Sequence, residues 1–309
     1  SMTDITLHNI NVTARGQYIG GLTGLARGTV TNVTLTGDLT YDGTNTTYGT
    51  NIINEGNYQV TGGLIGMPYG AFENIKVTGT HVKGYQFVGG VSGRANESTN
   101  LQIQVGEEHP VTAEGIEVPY SVFVEGQSYI SGVSGRGTSG SYSTTVNYFQ
   151  HVTVQKARVS ATSSGAYGIG AVVRVEDSEV ADSYIYAASS YAGGVAYDWS
   201  TAYRTTVRDS VISAGSRAGG IGAYAVGAVD CTVRGCTVTG SSYVGGVLGY
   251  NYTSTINSTG VVDCTIGTES AQYVGGLIGG NYEDSATKTY SYVYNSFSKD
   301  TTVQASSAA

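Results

Sequence analysis

The sequence predicts an all-β fold: a single domain over residues 1–309, built as a parallel β-helix or kindred β-solenoid of roughly nine to eleven coils. Three observations predict it. A glycine-pair element recurs nine times, a β-branched segment led by Asn or Asp recurs between its copies, and the composition suits short strands with small-residue corners.

The glycine element opens as Tyr18-Ile-Gly-Gly-Leu-Thr-Gly24, Val60-Thr-Gly-Gly-Leu-Ile-Gly66, Phe87-Val-Gly-Gly-Val-Ser-Gly93 and Tyr129-Ile-Ser-Gly-Val-Ser-Gly135. A weaker copy, Tyr167-Gly-Ile-Gly-Ala-Val-Val173, follows. Tyr191-Ala-Gly-Gly-Val-Ala-Tyr197, Arg217-Ala-Gly-Gly-Ile-Gly-Ala223, Tyr243-Val-Gly-Gly-Val-Leu-Gly249 and Tyr273-Val-Gly-Gly-Leu-Ile-Gly279 complete the set. The intervals between copies are 42, 27, 42, 38, 24, 26, 26 and 30 residues, so the unit is one coil with insertions. A phosphate cradle would need a following Lys-Ser/Thr and a helix, and neither is present; the glycines are expected to make tight corners and close coil-to-coil approach.

The second element reads Asn32-Val-Thr-Leu35, Asn74-Ile-Lys-Val77, Asn100-Leu-Gln-Ile103, Asp182-Ser-Tyr-Ile185, Asp209-Ser-Val-Ile212, Asp230-Cys-Thr-Val233 and Asp263-Cys-Thr-Ile266. Asn9-Ile-Asn-Val12 is an earlier copy and His151-Val-Thr-Val154 a variant. Short, β-branched, alternating runs bounded by turn residues are strands. The leading Asn and Asp are expected to hold their own turns and to stack as a polar ladder. One repeat cannot bury its apolar face alone, so stacking must supply the core. At about 4.8 Å per strand the coils make a rod of roughly 45–55 Å.

Composition agrees. Gly is 46 of 309 residues and Pro only 3, so corners rest on Gly, Asn, Asp and Ser. Only 12% of residues are charged, whereas helices carry Glu- and Lys-rich polar faces. The net charge of −8 argues against nucleic acid and anionic membranes as partners. No apolar run reaches the length of a membrane span. Ser1-Met2 reads as a cloning remnant and the chain as a fragment of something longer, from which a leader is expected to have been removed. Cys231, Cys236 and Cys264 have neither zinc spacing nor a nearby His, and are expected to be small core residues; a disulfide between coils stays open. No cofactor and no metal is expected.

The run Asp230-Cys-Thr-Val…Gly240-Ser-Ser-Tyr-Val-Gly-Gly-Val-Leu-Gly-Tyr-Asn251 resembles the GLUG repeat, named for its Gly-Leu-x-Gly signature. The resemblance covers about residues 8–300 and is clearest from 190 to 280. It implies a large secreted or surface-attached bacterial protein, such as the streptococcal zinc metallopeptidases that cleave immunoglobulin A. Those enzymes use a His-Glu-x-x-His motif in another domain, and this chain has none, its histidines being His8, His81, His109 and His151.

Four features are candidate sites. An aromatic stripe, Tyr18, Phe87, Tyr129, Tyr167, Tyr191, Tyr243 and Tyr273, lies two residues before the glycine pair. Facing out, it would be a platform for sugar rings or a protein; facing in, it is core. An arginine row, Arg94, Arg136 and Arg174, follows the element, with Asp198, Tyr224 and Tyr250 in the same register. It would hold an acidic glycan or pair with Glu97, Glu176 or Asp177. Two insertions, Gly37–Asn57 and Gly106–Glu125, leave the same corner and are expected to share a surface that includes Tyr41, Glu107 and His109. A third, Thr138–Asn147, leaves another corner. Last, Asp182, Asp209, Asp230 and Asp263 could be catalytic acids or calcium ligands, but each stands alone at a strand start.

The expected function is a non-enzymatic structural or adhesive module of a secreted or cell-surface bacterial protein, binding a host or neighbour-cell glycan or protein. The alternatives are a β-helix lyase or hydrolase of acidic glycans, using Arg94, Arg136, Glu176 and Asp177, and a substrate-recognition domain of a surface peptidase.

Overall fold

The computed structural model describes residues 1–57, 60–95, 99–137, 147–282 and 290–306. The chain is a parallel β-helix whose coils run through four sheets in a fixed order. Sheet I holds the Asn-led strands, among them Val30–Thr36, Phe72–Val77, Thr99–Val105 and Asn147–Gln155. Sheet II follows, with ten strands such as Thr80–Lys83 and Tyr184–Ala187. Sheets III and IV hold nine strands each, before and after the glycine pair, for instance Tyr191–Gly193 and then Ala196–Tyr197. Nine passes through sheets III and IV and ten through sheet II fall within the expected coil count, among the described residues.

Sheet I owes its shape to a column of left-handed residues. Asp4, Asn32, Asn74, Gln102, His151, Asp177, Arg204, Asp230, Ser258 and Asn295 all have φ between 45° and 55°. Strand register places them rung on rung. A left-handed residue inserts a bulge, so apolar residues three apart face the same way. Thus Val30, Val33 and Leu35 are all core, as are Phe149, Val152 and Val154. Beyond Asn147–Gln155 the bulge divides each pass into two short strands, as in Val173–Glu176 and Glu179–Ala181. Asn and Asp tolerate this conformation better than other L-residues, which explains their prevalence.

The Asn/Asp-led element is therefore two columns rather than one. Asn32, Asn74 and Asp230 stand on the sheet I bulge. Asp182, Asp209 and Asp263, with φ of 48° to 53°, stand at the later corner into sheet II, where Gly235 at φ 62° takes the same place. Asn100 belongs to neither: it is buried, and its Oδ1 accepts from Phe72 N at 3.1 Å. The expected ladder exists in part: Asn74 Nδ2 donates to Asn32 Oδ1 at 2.9 Å, and Asn32 Nδ2 to Asp4 Oδ1 at 2.8 Å.

In the later coils the residue after the left-handed position faces inward and bonds back to the carbonyl two residues earlier, where the earlier coils carry apolar Val33, Ile75, Ile103 and Val152. Ser178 Oγ donates to Glu176 O at 2.6 Å, Thr205 Oγ1 to Tyr203 O at 2.9 Å and Cys231 Sγ to Val229 O at 3.3 Å. The corner column repeats this with Ser183, Ser210, Cys236 and Cys264. The cysteines are buried and free, and stand where other coils carry Ser or Thr. They are hydrogen-bonding fillers, more specific than the small apolar residues expected. Burial pushes the Cys231 thiol up to about 11.

The glycine pair folds the wall inward. The apolar residue after the second Gly reaches the core: Leu64, Val91, Val133, Ile169, Val195, Ile221 and Val247 are all wholly buried. Coil-to-coil bonds continue through these turns, as in Val195 N to Ile221 O at 2.9 Å. The outer faces of sheets III and IV consequently close on each other. A Cβ on Gly89 or Gly219 would run into the carbonyl oxygen of Ser92 or Gly222 across the fold. Gly is required there by close backbone approach, and the outside of this corner is a groove.

Candidate functional site

The groove between sheets III and IV is lined by outward side chains from both walls. Strand register runs Tyr18, Val60, Phe87, Tyr129, Gly165, Tyr191, Arg217, Tyr243 and Tyr273 up the sheet III wall. The next residue of each strand is interior: Val88, Ile130, Ala166, Ala192, Ala218 and Val244 are core. Alternation along a strand then puts the stripe outside. The opposite wall carries Arg94 and Arg136 in register, then Tyr197, and then Tyr224 paired with Tyr250.

Stacking across and along the groove makes one aromatic array. Tyr191 stacks on Tyr197 at 5.0 Å and Tyr243 on Tyr273 at 4.7 Å. Tyr224 stacks on Tyr250 at 5.9 Å and on Tyr252 at 5.8 Å, and Tyr243 meets Tyr250 edge-on at 4.9 Å. Such pairs contribute about 0.5–1.5 kcal/mol each beyond area burial. Tyr191, Tyr197, Tyr224, Tyr243, Tyr250 and Tyr252 with Arg217 line an open recess of about 450 Å³. The Arg217 guanidinium lies 5.5 Å from the ring centres of Tyr191 and Tyr224, 5.3 Å from Tyr243 and 5.0 Å from Tyr250.

Towards the earlier coils Phe87 stacks on Tyr129 at 5.4 Å, and Arg136 covers the Tyr129 ring at 5.0 Å. Both aromatics are left-handed, with φ of 52° and 57°. That conformation is strained for a bulky residue, and such strain gathers at functional surfaces. Burial raises the pKa of the Tyr197, Tyr224 and Tyr250 phenols, so they keep their protons at neutral pH. Burial likewise raises that of Asp198, against the pull of Arg136.

The groove gathers Tyr129, Tyr191, Tyr243, Tyr273, Arg94 and Arg136 from the residues singled out in the sequence. Tyr167 is displaced. It pairs with Ser131 and Gly193, two residues on from the stripe, and is fully buried. The stripe position in that coil is Gly165, over which the Tyr167 hydroxyl lies. Tyr167 is thus groove floor, stacked under Tyr197 at 5.2 Å.

Arg174 does not belong to the arginine row. It lies in Val173–Glu176 of sheet I, beside Tyr148 and Thr201. There it binds Glu176, which also accepts from Arg204 at 3.2 Å and Tyr148 Oη at 2.9 Å. Asp177 takes Arg204 at 2.6 Å, which holds its carboxyl at about 2. Although burial pushes Glu176 up, Arg174 and Tyr148 hold its carboxyl below the usual range. Two ionised, fully paired carboxylates on sheet I do not face Arg94 and Arg136 on sheet IV, so the catalytic grouping imagined for an acidic-glycan enzyme is not assembled. Glu97 and residues 138–146 of the third insertion lie outside the described residues.

The first and second long insertions do meet. The hairpin Leu39–Tyr41 with Thr46–Tyr48 packs its Leu39 and Tyr48 on Val118, and Tyr48 Oη donates to Tyr120 O at 3.4 Å. Both end earlier than expected, because Thr50–Asn54 and Val122–Gly126 are strands of sheet II. Tyr41 is tied down, its hydroxyl donating to Gly43 O at 3.1 Å, and its ring packs on that small cluster. Glu107 is half-buried, with its amide on Ser121 Oγ at 3.2 Å, and His109 is exposed. None of these three lines the groove recess.

Arg217, Tyr197 and Tyr252 were not singled out in the sequence. Arg217 heads a glycine element at the stripe position, and a search for aromatics alone passes over it.

No family model matches the chain, and no curated protein matches it. Among solved structures, the crystal structure of the Dettilon tailspike protein aligns over 95% of this chain and 60% of that one, with TM-score 0.32 and 12% identity. The chain therefore spans less than two thirds of that protein, and the fold stands on the strand pairing given above.

Proposed function

We propose that this chain is a non-catalytic binding module, and that its ligand, a glycan, lies in the groove between sheets III and IV. The observation that carries the reading is the half-buried tyrosine array around Arg217, set in a concave recess of a rigid rod. Flat rings offer apolar faces to pyranose C–H groups. None of the six recess phenols has a protein hydrogen-bond partner among the described residues, so all six hydroxyls are available to a polyhydroxylated ligand. The lining contains no pair of carboxylates, which favours binding over turnover. The glycine-pair resemblance to GLUG repeats supports a setting on a bacterial surface or in a secreted protein, where a rigid rod holds its groove away from an anchor.

A glycan-array screen of this chain beside a Tyr191→Ala/Tyr243→Ala variant tests the reading. The expected outcome is selective binding that falls at least about tenfold in the variant, the scale on which buried aromatic anchors act. Equal binding by both folded proteins would remove the groove from the site.

A further inference from the structure

Resting on that reading, we infer that the groove selects acidic saccharides, with Arg217 and Arg136 as two anion anchors along one chain of sugars. Two sets of arginines contrast. On sheet I, Arg174, Arg204 and Arg208 are each neutralised by Glu or Asp within 3.2 Å. In the groove, Arg94, Arg136 and Arg217 form no ion pair among the described residues, and each lies over aromatic rings instead. Arg158 on sheet II shares with this second set its place over rings without an ion pair among the described residues. Among the described residues one carboxyl lies at the groove, Asp198, which is partly buried and feels Arg136 without pairing with it. The groove therefore concentrates uncompensated positive charge on a chain whose net charge is −8.

Ring contacts leave the function of a guanidinium intact. Rings cover its faces, while its N–H groups project from its edge in a fork that fits a carboxylate or a sulfate ester. Aromatic walls lower the local dielectric and strengthen that bond. Arg217 stands three rungs beyond Arg136, which is roughly 14 Å along the axis at about 4.8 Å per rung. A linear oligosaccharide lying along the groove spans that distance, and a single sugar does not. The tyrosines between the anchors supply the stacking surface.

The test compares three probes by calorimetry: an oligogalacturonate, its carboxyl-reduced neutral counterpart, and a sulfated neutral oligosaccharide of the same length. The variants are Arg217→Tyr and Arg136→Gln. Arg217→Tyr keeps the fold within reach, because Tyr191 and Tyr243 hold the same position in the flanking coils. An acidic probe should bind at least about tenfold more tightly than the neutral one and lose about that factor in Arg217→Tyr, since a bond to a charged group outweighs a neutral one. Its affinity should fall with salt, and less steeply in either variant. Which acidic probe binds distinguishes carboxylate from sulfate. Equal binding of acidic and neutral probes, or indifference to Arg217→Tyr, would overturn the inference and leave the glycan-binding reading standing. Failure of all three probes to bind the folded protein would overturn both.

Discussion

The hydroxyl of Tyr167 lies over Gly165, in the space a Cβ on that glycine would take. Tyr167 thereby fills the one rung at which the aromatic column has no side chain, between Tyr129 and Tyr191. Its oxygen is buried without a hydrogen-bond partner among the described residues. A buried, unsatisfied hydroxyl carries a desolvation cost of about 1–3 kcal/mol. Tyr167→Phe should therefore leave the thermal midpoint unchanged or raise it. Gly165→Ala should cost about 1–3 kcal/mol by overpacking. The double variant should recover part of that loss, because the oxygen is the first atom the new methyl meets. Additive thermal shifts would show that the two residues are not coupled.

Cys236 can be read in the same way. Its Sγ donates to Arg234 O at 3.2 Å, as Ser210 Oγ donates to Arg208 O at 2.8 Å one coil earlier. Cys236→Ser should fall within about 1 kcal/mol of the parent, and Cys236→Ala should cost about 1–2 kcal/mol by removing that bond and leaving a small void, although Arg234 O still accepts from Asp209 N at 2.9 Å. Chemical denaturation of the three proteins measures this. The native thiols should label slowly with a disulfide reagent, since all three are buried. An equal loss in both variants would mean that volume matters there and the bond does not.

The coil order was legible because the glycine pair and the apolar residue after it are both demanded by the inward fold, as at Gly194 and Val195. The left-handed columns were only half legible. Asn32 and Asn74 announce the conformation, but Gln102, His151 and Arg204 hold the same φ with no such signal. Their rungs are imposed by the coils on either side. Merging Asp230 with Asp263 into one row followed from a shared local pattern, whereas pairing separates them. Tyr167 was misplaced by two residues because it carries a ring where other coils carry the first Gly. The arginine row failed at Arg174 for a related reason: counting from Tyr167 carried the register past the corner into sheet I.

The columns make a prediction of their own. Ser258 holds φ 50° in the column where Asn32, Asn74, Asp177 and Asp230 stand in other coils. Ser258→Asn should stabilise by a few tenths to about 1 kcal/mol, and Asp230→Val should destabilise by about 1–2 kcal/mol, since a left-handed conformation penalises a β-branched residue most. Asp230→Gly should come close to the parent, as Gly relieves the strain at some entropic cost. Thermal midpoints decide, and a tolerated Asp230→Val would mean that the bulge does not need its left-handed residue.

Two carboxylates should pull the pH dependence of stability in opposite directions. Glu125 accepts from His81 at 3.1 Å and from Lys83 at 3.0 Å, and the His81 bond above all holds its carboxyl at about 2. A folded value below the unfolded one gives stability that is present above the unfolded value, near 4.5, and is lost as pH falls towards 2. Asp198 is the reverse: burial raises its folded value, so folding favours its protonated form. Its contribution is greatest below the unfolded value, near 3.8, and is lost as pH rises through the folded one. Glu125→Gln should therefore lower the thermal midpoint at neutral pH and make little difference near pH 2. Asp198→Asn should raise the midpoint at neutral pH and make little difference in acid, where the carboxyl is already neutral. The midpoint of each protein across pH 2–7 measures both. Parallel curves for Asp198→Asn and the parent would mean that Asp198 stays hydrated at the rim of the groove, with its charge open to any ligand that approaches Arg136.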